Sequence, residues 1–366
     1  VEIFSFMPAD DVTDLMGAMP VNKRKQLLAL MRSGKAERIK ELLGYGPETA
    51  GGIMTKEYLA LRESLNTRQA MEKIKEIGPR TEVIESIFVV NDKKELQGTV
   101  DLREVLSAAD EKTLGELVEK NFYWVTPDVD QEEVARAVAR YDLPVVPVVS
   151  RKKRLLGIIT FDDIIDVIED ENTEDMLRMV GVEEVERVDS PLRKSIRRRL
   201  PWLFINLGTA FLAAFTVGLF EDVIAQVVAL AVAMPIVAGM GGNAGTQTLS
   251  IVIRGLALGE LEFTENWKIA VKEVVLGLIH GAAIGLVTGT ILYVLYGNPY
   301  LGLIIFLAMI VNLIIAGLSG FVIPLGLKLV GADPALASAI FLTTVTDVFG
   351  FFVFLGLARF LLTYLL

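Results

Sequence analysis

The sequence predicts a multi-domain chain: a small helical N-terminal segment, an α/β domain pair, a linker helix and an all-α transmembrane domain of five helices. Three observations carry that expectation. Residues 51–170 repeat one order of α/β elements at a period of roughly 65 residues, the scale of one small unit per copy. Five apolar spans follow Arg199, and about 20 apolar residues suffice to cross a bilayer. The chain is also 52% hydrophobic with a mean hydropathy of +0.48, values no ordinary soluble domain of 366 residues reaches.

Residues 1–50 read as short helices. Met7-Pro8 opens an amphipathic run over Ala9–Met16 and Met19-Pro20 opens another over Val21–Arg32, since proline is tolerated in a first helical turn. Residues 51–170 hold the repeat. Its first copy passes through the strand SIFVV, the turn NDKKE, the strand LQGTV and the helix DLREVLSA; its second passes through LPVVPVV, SRKKR, LLGIIT and FDDIIDVI. Residues 171–199 are strongly charged and mostly helix-forming, a linker into the membrane. The apolar spans run over Trp202–Phe220, Val223–Ile253, Ile269–Tyr296, Leu301–Leu329 and Ala335 to Leu362, so residues 200–366 form the membrane domain. Arg193, Lys194, Arg197, Arg198 and Arg199 precede the first span and place the N-terminal side in the cytoplasm. Alternation puts Arg254, Lys268, Lys272 and Lys328 on that same side, and five spans leave the C-terminus outside. Val1 opens a mixed polar stretch without signal-peptide character, and the missing initiator Met points to a longer chain.

Composition removes several function classes. Eight acidic and five basic residues follow Arg199, which leaves 38 acidic and 31 basic residues in positions 1–199. An anionic soluble half does not suit nucleic acid, whose phosphates call for a basic stripe. With no cysteine and one histidine, His280, disulfides, thiol chemistry and HExxH zinc sites are excluded. No GxxxxGK[ST] motif supports an ATP-driven pump. His280 reads best as a neutral imidazole hydrogen-bonded between helices.

Two constellations remain, and both are acidic. Asp347 sits in the middle of the last span, where a carboxylate costs roughly 2.5–3.5 kcal/mol on insertion scales and marks a watered path by default; the alternative is a structural bond to Asn312 or His280. The second span carries MPIVAGMGGNAGTQ, whose glycines permit either close helix packing or an unwound, pore-lining backbone beside Asn243, Thr246 and Gln247. The second constellation is soluble. Asp162, Asp163, Asp166, Glu169, Asp170, Glu171, Glu174 and Asp175 crowd into fourteen positions, and helical spacing puts Asp163, Asp166 and Asp170 on one face. Such neighbours repel by a few tenths of a kcal/mol per pair, so the run is either a solvated linker face or a divalent-cation site. Glu260, Glu262 and Glu265, after the second span, either concentrate cations or are merely solvated.

The repeat, with GTVDLREV in one copy and GIITFDDI in the other, resembles the CBS domain pair. That likeness implies a ligand sensor without chemistry of its own, commonly for adenosine nucleotides such as ATP, with the ribose held by Thr160 and Asp163; the first copy departs, with Asp101 and Glu104 in those places. GMGGNAGTQ followed by IVIRGLALGEL, and GADPALASAIFLTTVTDVFGFFVFLGLARFLL, resemble the MgtE family of magnesium channels and transporters from end to end, the N-terminal domain being shorter than usual. The resemblance implies a homodimer in a prokaryotic inner or plasma membrane, with a twofold pore lined by the second and fifth spans. Asp347 would be the ion-recognition carboxylate, with Thr343 and Asn243 near it. Regulatory magnesium would bind Asp163, Asp166, Glu171 and Glu174, and Asp130, Glu132 and Asp142 on the CBS pair, closing the pore through the linker, or plug, helix. Oxygen ligands favour hard cations but do not choose among them, so a transporter of broader selectivity for manganese, cobalt or calcium, with nucleotide-sensing CBS domains, is the alternative.

Overall fold

A computed structural model describes residues 2–182, 188–261, 266–336 and 338–365. The chain divides into two compact units, residues 1–171 and 172–366.

The first unit opens with four short helices, α1 (Glu2–Phe6), α2 (Ala9–Gly17), α3 (Val21–Ala29) and α4 (Ser33–Leu42). Pro8 and Pro20 stand at the N-caps of α2 and α3, as the Met-Pro pairs predict. Then come β1 (Tyr58–Arg62), α5 (Thr67–Ile77), β2 (Val83–Val90), β3 (Leu96–Asp101), α6 (Leu102–Ser107) and α7 (Leu114–Leu117). The second copy supplies α8 (Gln131–Tyr141), β4 (Val145–Val149), β5 (Leu155–Thr160) and α9 (Phe161–Met179), the last continuing past Glu171. Asn66 and Gln69 form a reciprocal capping box that fixes the start of α5. β1 pairs parallel with β2, which pairs antiparallel with β3; β4 pairs antiparallel with β5. The second copy keeps only one bridge of the β1 type, Val125 with Val148. Alternating strand residues and the stripes of α2, α4 and α8 close the largest core, around Met16, Ile39, Met54, Val134 and Ile159.

The second unit holds the last turns of α9 and α10 (Leu192–Gly218), α11 (Glu221–Gln226), α12 (Ala229–Ala257), α13 (Asn266–Tyr296), α14 (Pro299–Leu329), α15 (Ser338–Phe360) and α16 (Leu362–Leu365). Five of these, α10 and α12–α15, are long and apolar enough to cross a membrane. Packing is set by small residues: Cβ atoms added at Gly277, Gly281, Gly285 and Gly289 of α13 would lie 2.5–2.9 Å from the α14 backbone. Without a hydrophobic drive in lipid, such close backbone approach supplies the dispersion contact that holds helices together.

Three expectations are corrected. The linker is not one helix: α9 ends at Met179, Gly181 takes φ +75°, and α10 starts only after Pro191, taking Arg193–Arg199 inside it. The Gly241–Gly245 run does not unwind, because α12 is continuous through it and its glycines are filled by neighbouring side chains. His280 is not sandwiched between helices; it lies exposed on α13.

Candidate functional site

Asp347 lies in α15, half-buried, two and a half turns after the helix begins. Its surroundings are built by α12 and α14. Thr343, one turn earlier, faces Gly242 of α12, where an added Cβ would sit 3.9 Å from the Thr343 methyl. Asn312 of α14 is fully buried and wedges between Gly241 and Gly350, with no room at either for a Cβ. Its Nδ2 donates to the Val237 carbonyl at 2.8 Å, so it does not bond Asp347, and its Oδ1 is buried without a partner. The Asp347–Asn312 or Asp347–His280 structural bond is therefore absent. Among the described residues no hydrogen bond or ion pair engages the Asp347 carboxylate. The hydroxyls of Thr343 and Thr344 both donate back to the Ile340 carbonyl, at 3.1 and 2.7 Å, and Thr346 donates to the Thr343 carbonyl at 3.1 Å. Back-bonding of this kind weakens a helix slightly and often bends it. Asn243, Thr246 and Gln247 are exposed on α12.

A second membrane-domain carboxylate was not anticipated. Glu273 of α13 is only 8% exposed and accepts from the Thr248 hydroxyl of α12 at 2.8 Å. Gly317 of α14 leaves it room: a Cβ there would stand 3.6 Å from its Oε2. The adjacent Lys272 makes the position read as the end of a span, which hid it in the sequence.

In the first unit, Asp163 begins the acidic helix α9 and is half-buried. The Thr160 hydroxyl donates to its Oδ2 at 2.5 Å, so the two residues expected to hold a ribose are bonded to each other. Burial raises the Asp163 pKa, with neighbouring Asp162 and Asp11 adding to the rise. Three carboxylates the sequence reading missed join it. Asp10 and Asp14, one turn apart on α2, are pushed up to about 6 by burial, helped by Asp163 and Asp11. Glu82 is pushed up to about 8 by burial and by Asp10, despite a bond from Thr55. Asp10 Oδ1 is buried without a hydrogen-bond partner. The signal was there, since Asp10 falls on the buried stripe of α2 with Ala9, Val12, Thr13 and Met16. Among the described residues, no three such side chains close around one point as metal ligands.

The remaining expected ligands separate into groups. Asp130 caps α8 through the Glu132 N–H at 2.8 Å, Glu132 pairs with Arg136 at 3.7 Å, and Glu171 accepts from Gln131 at 2.6 Å, so these three cluster at one end of α8. Asp142 is at the other end, about 16 Å away along the axis, in the left-handed conformation. Asp166 is exposed on α9. Glu174 is bound to Arg178, which also pairs with Asp333 in the loop before α15. Asp333 further accepts from the Ala335 N–H at 2.7 Å. Asp101, at the ribose position of the first copy, caps α6 and chelates Arg103, which holds its carboxyl down at about 2. Glu260 is exposed, and Glu262 and Glu265 lie outside the described residues.

Comparison with known proteins agrees with this architecture. A family model described as divalent cation transporter matches residues 234–357, the CBS domain matches 50–111 and 114–170, and the MgtE intracellular N domain matches 1–48. The magnesium transporter MgtE of Enterococcus faecalis is 35% identical over 332 residues, 91% of this chain and 73% of that protein. That of Thermus thermophilus is 33% identical over 360 residues, 96% of this chain and 79% of that protein. A solved structure of the cytosolic domain of the Mg2+ channel MgtE in complex with ATP is 34% identical and covers 45% of this chain and 68% of that one, with a TM-score of 0.44.

Proposed function

The chain belongs to the MgtE family of divalent cation transporters, and from that premise we propose that it is a dimeric, magnesium-selective channel whose ion-recognition group is Asp347. The supporting observation is the unbonded, half-buried Asp347 carboxylate in the middle of the membrane helix α15. A carboxylate at that depth costs several kcal/mol unless water or a cation reaches it. Magnesium requires octahedral oxygen ligands and gives up water reluctantly, so a conducting site must hold it largely hydrated. Two copies of Asp347 across a twofold axis would supply negative potential without a dehydrating cage, with Thr343 and Asn243 offering neutral oxygens to the hydration shell. Weak holding lets the ion leave. With the N-terminal unit in the cytoplasm of a prokaryotic plasma membrane and the C-terminus outside, the membrane potential alone drives entry, at about 2.3 kcal/mol per charge per 100 mV.

The same reading covers regulation. Asp10, Asp14 and Glu82 each lie close enough to Asp163 to be raised by its charge, and Asp10 Oδ1 is buried without a donor, while among the described residues no three acids converge on one point. Asp163, Asp166, Glu171 and Glu174, with Asp130, Glu132 and Asp142, would bind cytosolic magnesium and relieve this repulsion, favouring a closed arrangement that α9 passes to the pore. A regulator of this kind needs only to bind the closed state better than the open one.

Flux into liposomes of magnesium, manganese, cobalt and calcium tests the reading. Asp347→Ala should lower magnesium flux by more than tenfold and Asp347→Asn by less. Unchanged flux and selectivity in Asp347→Ala would overturn the assignment, while equal wild-type flux of all four ions would replace magnesium with divalent cations in general.

A further inference from the structure

The two copies of the α/β repeat differ sharply at their hairpin tips. The first tip reads Asp92-Lys93-Lys94-Glu95, with no net charge; the second reads Arg151-Lys152-Lys153-Arg154, four cations in a row. Both tips have the same backbone, since Lys94 and Lys153 take matching positive φ values of 61° and 55°. The fold therefore does not demand the extra cations. The tips also meet in space. The backbones of Glu95 and Arg154 form an isolated antiparallel β-bridge, and the Leu96 N–H donates to the Lys153 carbonyl at 2.8 Å. Beside this junction a cleft of about 220 Å³ is lined by Lys120, Lys153, Trp124, Phe122 and Gln97. Trp124 is 41% exposed, and the Lys153 ammonium stands 5.9 Å from its ring centroid. Structural equivalence sharpens the contrast. Val125 pairs with Val148 as Leu61 pairs with Val89, so Trp124 occupies the place that Ala60 holds in the first copy. Relative to its sister, the second copy has gained two cations in place of two anions and an exposed indole in place of a methyl group. In a chain of net charge −10 this is a local reversal of sign.

We propose that the hairpin-tip cleft of the CBS pair binds a phosphate-bearing anion, its phosphate on Lys120 and Lys153 and any ring or apolar part against Trp124. Two ammonium groups lining one cleft, Lys120 and Lys153, can give charge-assisted hydrogen bonds to phosphate oxygens, and indole faces favour planar or cationic neighbours. The site is separate from Thr160 and Asp163, which lie at the opposite end of β5, roughly 17 Å along the strand. It does not depend on the transport reading.

Trp124 is its own reporter. In full-length protein carrying Trp202→Phe and Trp267→Phe, held in phosphatidylcholine nanodiscs in magnesium-free buffer, pyrophosphate should change Trp124 emission saturably. Lys153→Glu and Lys120→Ala should each raise the midpoint at least tenfold. Lys94→Ala, the matching lysine of the first copy, should leave it within twofold, and Lys153→Arg within threefold, which separates lost charge from lost folding. A second arm replaces a fifth of the lipid with phosphatidylglycerol and omits pyrophosphate. A Lys153-dependent response confined to that arm assigns the phosphate to a lipid headgroup; one confined to pyrophosphate assigns it to a soluble compound. No saturable response in either arm, or equal effects of Lys94→Ala and Lys153→Glu, overturns the proposal.

Discussion

Single carboxylates carry most of the functional content, and each is legible through its environment rather than its identity. Asp10 and Glu82 are the sharpest case in the cytosolic unit. Their pKa values are raised in the folded chain, to about 6 and about 8, chiefly by burial. A carboxyl whose pKa is raised on folding binds more protons folded than unfolded, so its contribution is fully present below pH 4 and lost as pH rises through 6 to 8. Without divalent cations, the cytosolic unit should therefore melt at a lower temperature at pH 8.5 than at pH 5, with Asp10 contributing more than the exposed Glu82. Asp101, held low at about 2, acts in the opposite sense but below this window. Asp10→Asn with Glu82→Gln should flatten the slope in differential scanning calorimetry; an unaltered slope would show that other groups set it. Glu273 makes a separate prediction. Because it joins α13 to α12 through Thr248 beside Gly317, Glu273→Ala and Thr248→Val should each lower the melting temperature, and the double variant should cost less than their sum, since both remove one bond. Additive losses would mean the two residues act apart.

At the scale of elements, one cation ties the end of α9 to the loop before α15. Arg178 near the end of α9 joins Glu174 to Asp333, and Asp333 in turn holds the Ala335 N–H just ahead of α15, the helix that carries Asp347. All three side chains are mostly sheltered, with 18–27% of each exposed, so the pairs are screened less than surface ion pairs. Arg178→Asp and Asp333→Arg should each shift the magnesium concentration for half-inhibition of flux by at least threefold, and the double exchange should restore it substantially. Failure of the exchange to restore it would reduce the contact to incidental packing. The elements themselves were readable where period and length speak together. Four of the five strands stand over the runs SIFVV, LQGTV, VVPVV and LLGIIT, and the five long helices over the five apolar spans. β1 escaped because YLALR alternates too weakly to declare itself, and its partner β2 lies parallel and more than twenty residues on. The glycine run of α12 misled for the opposite reason. Glycine weakens an isolated helix by about 1 kcal/mol relative to alanine, but here the missing side chains admit Asn312 and Leu342, and tertiary contact overrides local preference. Asp10 and Glu273 stayed hidden because an acid in a pattern is read as solvent-facing, and only the fold reveals which ones are turned inward.

For the molecule as a whole, the charge distribution defines the regulatory problem. The first 199 residues carry 38 acidic against 31 basic side chains, and α9 concentrates acids in its first four turns. Within the chain Glu174 is compensated by Arg178 and Glu171 accepts from the neutral Gln131 amide, whereas Asp163 stands among the acids Asp10, Asp14 and Glu82. Compensation by protein groups is constant, while compensation by a divalent ion varies with its concentration, so only the second kind could serve the proposed regulation by magnesium. The four-fold variant Asp163→Asn, Asp166→Asn, Glu171→Gln and Glu174→Gln should therefore conduct at low magnesium as the parent does, yet lose inhibition at high magnesium, with the half-inhibiting concentration rising at least fivefold in inside-out patches. Among the single variants, Asp163→Asn should account for more of that rise than Glu174→Gln, because Glu174 already has its cation. If the four-fold variant closes at the same magnesium concentration as the parent, the acidic surfaces are not the sensor; if Glu174→Gln alone reproduces the whole shift, the sensing charge lies at the Arg178 junction instead of the Asp163 cluster.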